Sequence, residues 1–279
     1  MLVRIGSRGS RLALIQAERA VAALRAPGIE LAVLPITTSG DRDRTRPFGE
    51  IGSRGVFVKE LEEALFERRI DVAVHSAKDL TATDPAGLSI GAFLRRDDPR
   101  DALCGAEALR PGMRIGTASV RRKAQLLALE PSLSIEPLRG NVDTRLRKRG
   151  ERGLDAIVLA ACGLDRLGLA SEAGYRFPVH EVVPEAGQGA LALQVRAGEE
   201  HLVAAADDAE TRRQVEAERA VIAVVGGGCL APVAAHHDGE TLWGFIAEDE
   251  GPWCETRTGS DPRELGRQLL EAVRNAQTV

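Results

Sequence analysis

The feature that most constrains this chain is a unit it uses twice: a short apolar strand, a turn of glycine and hydroxyl residues, then an amphipathic helix. Arg4-Ile5-Gly6-Ser7-Arg8-Gly9-Ser10 resembles Arg114-Ile115-Gly116-Thr117-Ala118-Ser119. Further on, Ile70-Asp71-Val72-Ala73-Val74 is matched by Leu154-Asp155-Ala156-Ile157-Val158. Strands alternating with helices of this length predict a mostly parallel α/β sheet, and the recurrence predicts two such units. In the first unit, Leu2–Ile5 reads as a strand, Gly6–Ser10 as a turn with Ser10 as helix N-cap, and 29–37, 70–75 and 88–94 as further strands. The wholly polar run Arg95-Arg96-Asp97-Asp98-Pro99-Arg100 marks a junction, and Pro184–Gly189 a second. A strand over Ala190–Val195 returns to the first sheet, which implies a hinge of two crossings. Beyond Asp207 a helix over 211–225, three strands and a last helix form a small α+β domain. The domains are therefore expected at 1–95 with 188–206, at 96–187, and at 207–279.

Composition excludes several classes. The 279 residues carry a net charge of −4 and only 3% aromatics, so neither a bulk basic field nor rows of base-stacking side chains point to nucleic acid. No apolar leader opens the chain, and its longest uncharged stretch, 220–235, is too short to span a bilayer and contains Gly226–Gly228 and Pro232. Cys104, Cys162, Cys229 and Cys254 are scattered with no paired spacing, which argues against disulfides or structural zinc and for a reduced, cytoplasmic setting. No spacing of His, Cys and acidic residues suggests a metal site.

Chemistry-bearing residues gather where strands end. Helix N-termini present free N–H groups there, and guanidinium groups bind carboxylate or phosphate through paired hydrogen bonds. The Gly6–Ser10 and Gly116–Ser119 loops bring Arg8, Arg121 and Arg122 to such positions, and the run Arg139–Arg145 adds two more arginines. Either an anion site or merely capped helices with surface arginines would give this pattern; two matching loops facing a cleft favour the anion. Only Lys59, Lys78, Lys123 and Lys148 are lysines among 37 basic residues, so a lysine beside a carboxylate in His75-Ser76-Ala77-Lys78-Asp79 stands out. Asp79 could balance positive charge developing on a substrate, or it could simply open a helix. His75, in an apolar strand, reads as a core histidine. In Gly226-Gly227-Gly228-Cys229 the glycines clear space around a thiol that could be a nucleophile, an attachment point or a small buried hydrophobe.

Taken together these motifs resemble the hydroxymethylbilane synthase (porphobilinogen deaminase) family, from Val3 to the last strands. The resemblance rests on stretches 6–16, 52–62, 71–80, 97–102, 116–125, 138–146, 155–169, 187–190 and 227–233. It implies two α/β domains like type II periplasmic binding proteins with a hinge, plus a small C-terminal α+β domain. It implies a monomer that binds porphobilinogen, and a dipyrromethane cofactor attached to Cys229 through a thioether. Four porphobilinogen molecules would condense head to tail on that primer with loss of ammonia, and hydrolysis would release hydroxymethylbilane. By resemblance Asp79 is catalytic; Ser76, Lys78, Thr117, Ser119, Arg121, Arg122, Arg139 and Arg145 bind the cofactor; Arg8, Ser10, Lys59 and Arg166 bind substrate. Thr81 after Asp79-Leu80, where the family has proline, and Ser53-Arg54, in place of a Gly-Lys pair, depart from the family pattern. The competing reading is a non-catalytic two-lobed domain that binds or senses a small carboxylate.

Overall fold

A computed structural model describes residues 1–37, 58–81, 83–226, 232–248 and 253–276. Residues 39–55, a polar stretch rich in Gly, Asp and Arg that the sequence predicts to be a long loop, and Cys229 with Gly227 and Gly228 lie outside these residues. The chain divides into two compact units, Met1–Asp97 with Ala190–Arg213, and Asp98–Gly189 with Gln214–Val279.

In the first unit, Leu2–Arg8 (β1) leads into Arg11–Leu24 (α1), then Glu30–Ile36 (β2), Lys59–Phe66 (α2), Val72–Ser76 (β3) and Leu88–Leu94 (β4). Leu191–Arg196 (β10) returns to this sheet as expected and fits between β3 and β4, giving the order β2-β1-β3-β10-β4. β1 runs parallel to β2 and β3, whereas β10 is antiparallel to both neighbours. Four of the five strands therefore run the same way, and only the returning β10, which enters from the opposite end, is reversed. Val3, Ile5, Val72, Val74 and Leu193 fill one face, packed on Ala20 and Leu24 of α1; Leu61, Leu65, Ile70 and Ala73 fill the other. Burial of each large aliphatic side chain contributes roughly 1.5–3 kcal/mol. β1 extends into the segment expected as a turn: Ser7 and Arg8 still pair with Pro35 and Ile36. Pro35 is tolerated because β2 is an edge strand.

The second unit repeats the plan. Asp101–Cys104 (β5), Arg114–Gly116 (β6), Val120–Leu129 (α3), Ser134–Glu136 (β7), Val142–Glu151 (α4), Ala156–Ala160 (β8), Ala161–Arg166 (α5) and Ala173–Arg176 (β9) build a sheet of order β7-β6-β8-β5-β9. Here β6 is parallel to β7 and β8, and β5 is antiparallel to β8 and β9. Correspondence extends to single bonds. The Asp71 carboxylate accepts from Arg4 N at 2.9 Å, and the Asp155 carboxylate from Arg114 N at 2.7 Å. Ala77 N donates to Ala190 O at 3.0 Å, and Ala161 N to Arg100 O at 2.9 Å. The duplication read from two short motifs thus holds through the sheets. Strands β5 and β9 were not anticipated from the sequence.

Helix α6 (Ala209–Val225) precedes an antiparallel sheet of Val233–His237 (β11), Leu242–Ala247 (β12) and Cys254–Gly259 (β13), covered by Pro262–Ala276 (α7). Val221, Ile222, Val233, Leu242, Leu265 and Leu269 form its core. This is the expected small α+β element, and the fold as a whole is the expected α/β class with two sheets built alike.

Candidate functional site

In the first unit, β1 and β3 are locked at the bottom so that their upper ends carry the functional side chains. Arg4 Nε and Nη2 donate to the Asp71 carboxylate at 2.9 and 2.8 Å, and Arg196 Nη2 adds a third donor at 3.1 Å. Burial alone would raise the Asp71 carboxyl, but the bonds from Arg4, then Arg196, pull it down to about 2. At the top, Ser10 caps α1 by accepting from Ala13 N at 3.3 Å. A single turn of 3₁₀ helix, Ala77–Asp79, follows β3 directly. These elements enclose a cavity of about 110 Å³ whose polar side is Arg8, Ser10, Ser76, Lys78 and Asp79, with Leu12, Ala13, Val58, Leu61 and Val74 as apolar wall. Five of the predicted cofactor, substrate and catalytic residues therefore meet here. Lys59 does not line the cavity: it is 75% exposed and lies 3.8 Å from Glu63 on α2.

His75 and Gln16 also line the cavity. His75 Nε2 lies 2.9 Å from Gln194 Oε1, and the Gln194 amide donates on to Glu62 Oε1 at 3.1 Å. Because a carboxylate only accepts, this order presents Gln194 Oε1 to His75 and makes Nε2 its protonated nitrogen. Burial drives the His75 pKa down to about 4, so the ring is neutral at physiological pH. It is the satisfied core histidine its apolar strand suggested. Gln16, nearly buried on α1, was missed; a polar residue on the inner face of an otherwise apolar helix was the available signal.

In the second unit, Thr117 and Ser119 shape the start of α3. Thr117 Oγ1 accepts from Ser119 N at 3.2 Å, and Ser119 Oγ accepts from Arg122 N at 3.3 Å. Arg121 and Arg122 are buried rather than spread on the surface. Arg122 donates from Nε and Nη2 to Asp101 Oδ1 at 3.1 and 2.7 Å and from Nη1 to Val158 O at 3.0 Å. Arg121 Nη1 reaches Val183 O and Asp101 Oδ2, each at 2.8 Å, while its Nε and Nη2 have no partner. Asp101 is fully buried; desolvation would raise its carboxyl, yet the two guanidinium charges hold it well below the usual range. Arg139 precedes α4 and Arg145 lies in its first turn, where Arg145 Nε donates to Gly140 O at 2.7 Å. Desolvation, then repulsion from Arg122 and Arg139, lowers the Arg145 pKa to about 10. Arg166, at the end of α5, donates to Gly189 O at 2.6 Å.

The buried arginine cluster thus leaves two donors of Arg121 unmatched. Such a site fits a ligand bearing several carboxylates. Among the described residues no group of three or more His, Cys, Asp or Glu could hold a metal ion. No helix among the described residues is long and apolar enough to cross a membrane.

The fold and site define a two-unit α/β protein with one polar-sided cavity and a cluster of buried arginines. Residues 3–204 match the family model for the porphobilinogen deaminase dipyromethane cofactor binding domain. The chain is 42% identical to a porphobilinogen deaminase of Brevibacillus brevis, over 97% of this chain and 93% of that one. It is 46% identical to one from Syntrophotalea carbinolica, covering 97% and 92%, and 45% identical to one from Roseiflexus castenholzii, covering 98% and 95%. Among solved structures, the methionine-binding protein MetQ aligns with a TM-score of 0.46 at 14% identity, covering 76% of this chain and 92% of that one. The chain belongs to the porphobilinogen deaminase family. That membership disfavours the non-catalytic solute-binding reading.

Proposed function

We infer that this chain is the transferase that condenses porphobilinogen head to tail, with loss of ammonia, and yields hydroxymethylbilane after hydrolysis. The observation that carries this reading is the convergence of Arg8, Ser10, Ser76, Lys78 and Asp79 on one cavity. When bound through Cys229, the dipyrromethane supplies a pyrrole with a free α-carbon as the primer for chain growth. Arg121, Arg122, Arg139 and Arg145 would hold its carboxylates, with Thr117, Ser119, Ser76 and Lys78 adding polar contacts. The unpartnered buried donors of Arg121 and the mutual repulsion around Arg145 support that role, since both are relieved by anions.

Arg8, Ser10, Arg166 and Lys59 are assigned to the incoming porphobilinogen. Arg8 and Ser10 stand in the cavity with Asp79, so a ring held by its carboxylates there places its nitrogen near the Asp79 carboxylate. That carboxylate accepts the pyrrole N–H and faces the positive charge that spreads over the ring as ammonia departs. Two opposite charges about 4 Å apart attract by about 4 kcal/mol at an effective dielectric near 20. His75, neutral and bound to Gln194, is not a proton donor to the leaving amine at neutral pH. The apolar wall of Leu12, Val58, Leu61 and Val74 limits water at the reacting carbon.

The same reading places the protein in the cytoplasm as a monomer, divided into domains at 1–95 with 188–206, 96–187 and 207–279. Intact mass of the purified protein tests the covalent primer. A value above that of the sequence by one dipyrromethane, lost in Cys229→Ser, is the expected result. A bare-sequence mass in fully active wild-type enzyme would overturn it.

A further inference from the structure

Asp101 occupies an unusual place in the second unit. It opens β5, is fully buried, and receives Arg122 through two hydrogen bonds to Oδ1 and Arg121 through an ion pair to Oδ2. Gln188 Nε2 also donates to Oδ1 at 2.9 Å while reaching Pro99 O at 2.7 Å. The two arginines are not equivalent. Arg122 spends three of its five N–H hydrogens on Asp101 and Val158 O, which leaves one on each of Nη1 and Nη2 for a ligand. Arg121 spends only Nη1, and keeps Nε and Nη2 buried and unpartnered on a side chain that is 4% exposed. A buried donor without a partner costs about 1–3 kcal/mol, and more on a charged group, which a folded protein retains where something else supplies the acceptor. Nothing in the reaction assigned above uses Asp101 directly.

We propose that Asp101 is a positioning residue: it anchors Arg122 and turns the guanidinium of Arg121 so that Nε and Nη2 present a paired donor edge to one carboxylate of the bound pyrrole chain. The neighbouring bonds to Val183 O and from Gln125 to the same carbonyl at 3.0 Å fix the far side of that guanidinium. Asp101 also places a buried negative charge against Arg121 and Arg122, which lets the two guanidinium groups pack side by side. This inference rests on the assignment of Arg121 to the cofactor.

A double-mutant cycle on the holoenzyme tests it. Arg121→Met and Asp101→Asn are each expected to lower kcat at least tenfold. If Asp101 acts through Arg121, the double variant is no worse than the poorer single one, within threefold. A purely structural Asp101 gives multiplied losses, near a hundredfold, and that result overturns the proposal. Asp101→Glu keeps the charge but displaces it by one methylene. It is expected to lose at least fivefold in kcat, and wild-type turnover in that variant also overturns the proposal, even where Asp101→Asn fails to fold. If Arg121→Met itself retains full turnover and full cofactor content, the assignment of Arg121 to the cofactor fails, and the positioning role fails with it. An impaired Arg121→Met beside an unimpaired Asp101→Asn overturns the positioning role alone.

Discussion

Asp71→Asn breaks the electrostatic lock beneath the cavity, because the amide keeps the shape of the side chain but removes its charge and turns one of its two accepting oxygens into a donor. In the folded state Asp71 titrates at about 2, against an ordinary 3.8. A shift of nearly two units corresponds to about 2.5 kcal/mol at 1.36 kcal/mol per unit. Arg4, the main donor, is 36% exposed, and solvent screening brings the expected contribution to about 1–2 kcal/mol. For chains near this size that is a loss of roughly 2–8 °C in melting temperature at pH 7. The sign follows from the direction of the shift. A carboxyl with a depressed folded pKa stabilises at pH values above its unfolded pKa, and that stability drains away as pH falls through the folded value. The gap between wild type and Asp71→Asn should therefore be full at pH 7, begin to close near pH 4, and vanish near pH 2. Calorimetric melting across that range reads it directly. A gap unchanged between pH 7 and pH 3, or no gap at pH 7, would refute the reasoning.

Gly6 of β1 and Gly116 of β6 yield a matched set of predictions. A Cβ on Gly6 would lie 2.3 Å from Ile70 Cδ1 and 3.2 Å from Leu61 Cδ2, and one on Gly116 would lie 2.8–3.0 Å from Leu154, Leu138 and Ile157. Gly6→Ala and Gly116→Ala should each cost about 1–3 kcal/mol by overpacking, measured by thermal melting. Gly6→Ala should also lower turnover, since Leu61 is a cavity wall. Gly9→Ala, with nothing within 4 Å of its added methyl, should leave the melting temperature unchanged or slightly raised.

The local signals in the sequence were strong where one segment decides its own structure. Ser10 and Ser119 announce helix starts, and both hydroxyls accept from a backbone N–H three residues on. The Asp71 and Asp155 motifs repeat because each carboxylate pins the strand beside it, a constraint that leaves the same residues in both halves. β5 escaped because Asp101 reads as the end of a polar junction. Its charge is neutralised by Arg121 and Arg122, some twenty positions away, and pairing across such a gap leaves no periodic trace. For the same reason the sequence brought Arg121 and Arg122 to an anion site without showing that they are buried, since their burial depends on a carboxylate from another strand. The Gly6–Arg8 segment looked like a turn from its glycine, yet pairing with β2 carries the strand through to Arg8. Within the cavity, the strand-end motif gave Ser76, Lys78 and Asp79 together, whereas Gln16 entered only through the packing of α1 against β3.

The account turns on the Asp79 carboxylate as the group that carries the chemistry in its cavity, and turnover of Asp79→Ala, measured on protein whose mass shows the cofactor in place, tests that most directly. Loss of an interaction worth about 4 kcal/mol in the transition state predicts a fall of about a thousandfold in kcat with the adduct retained. Turnover within threefold of wild type on fully loaded protein would contradict it.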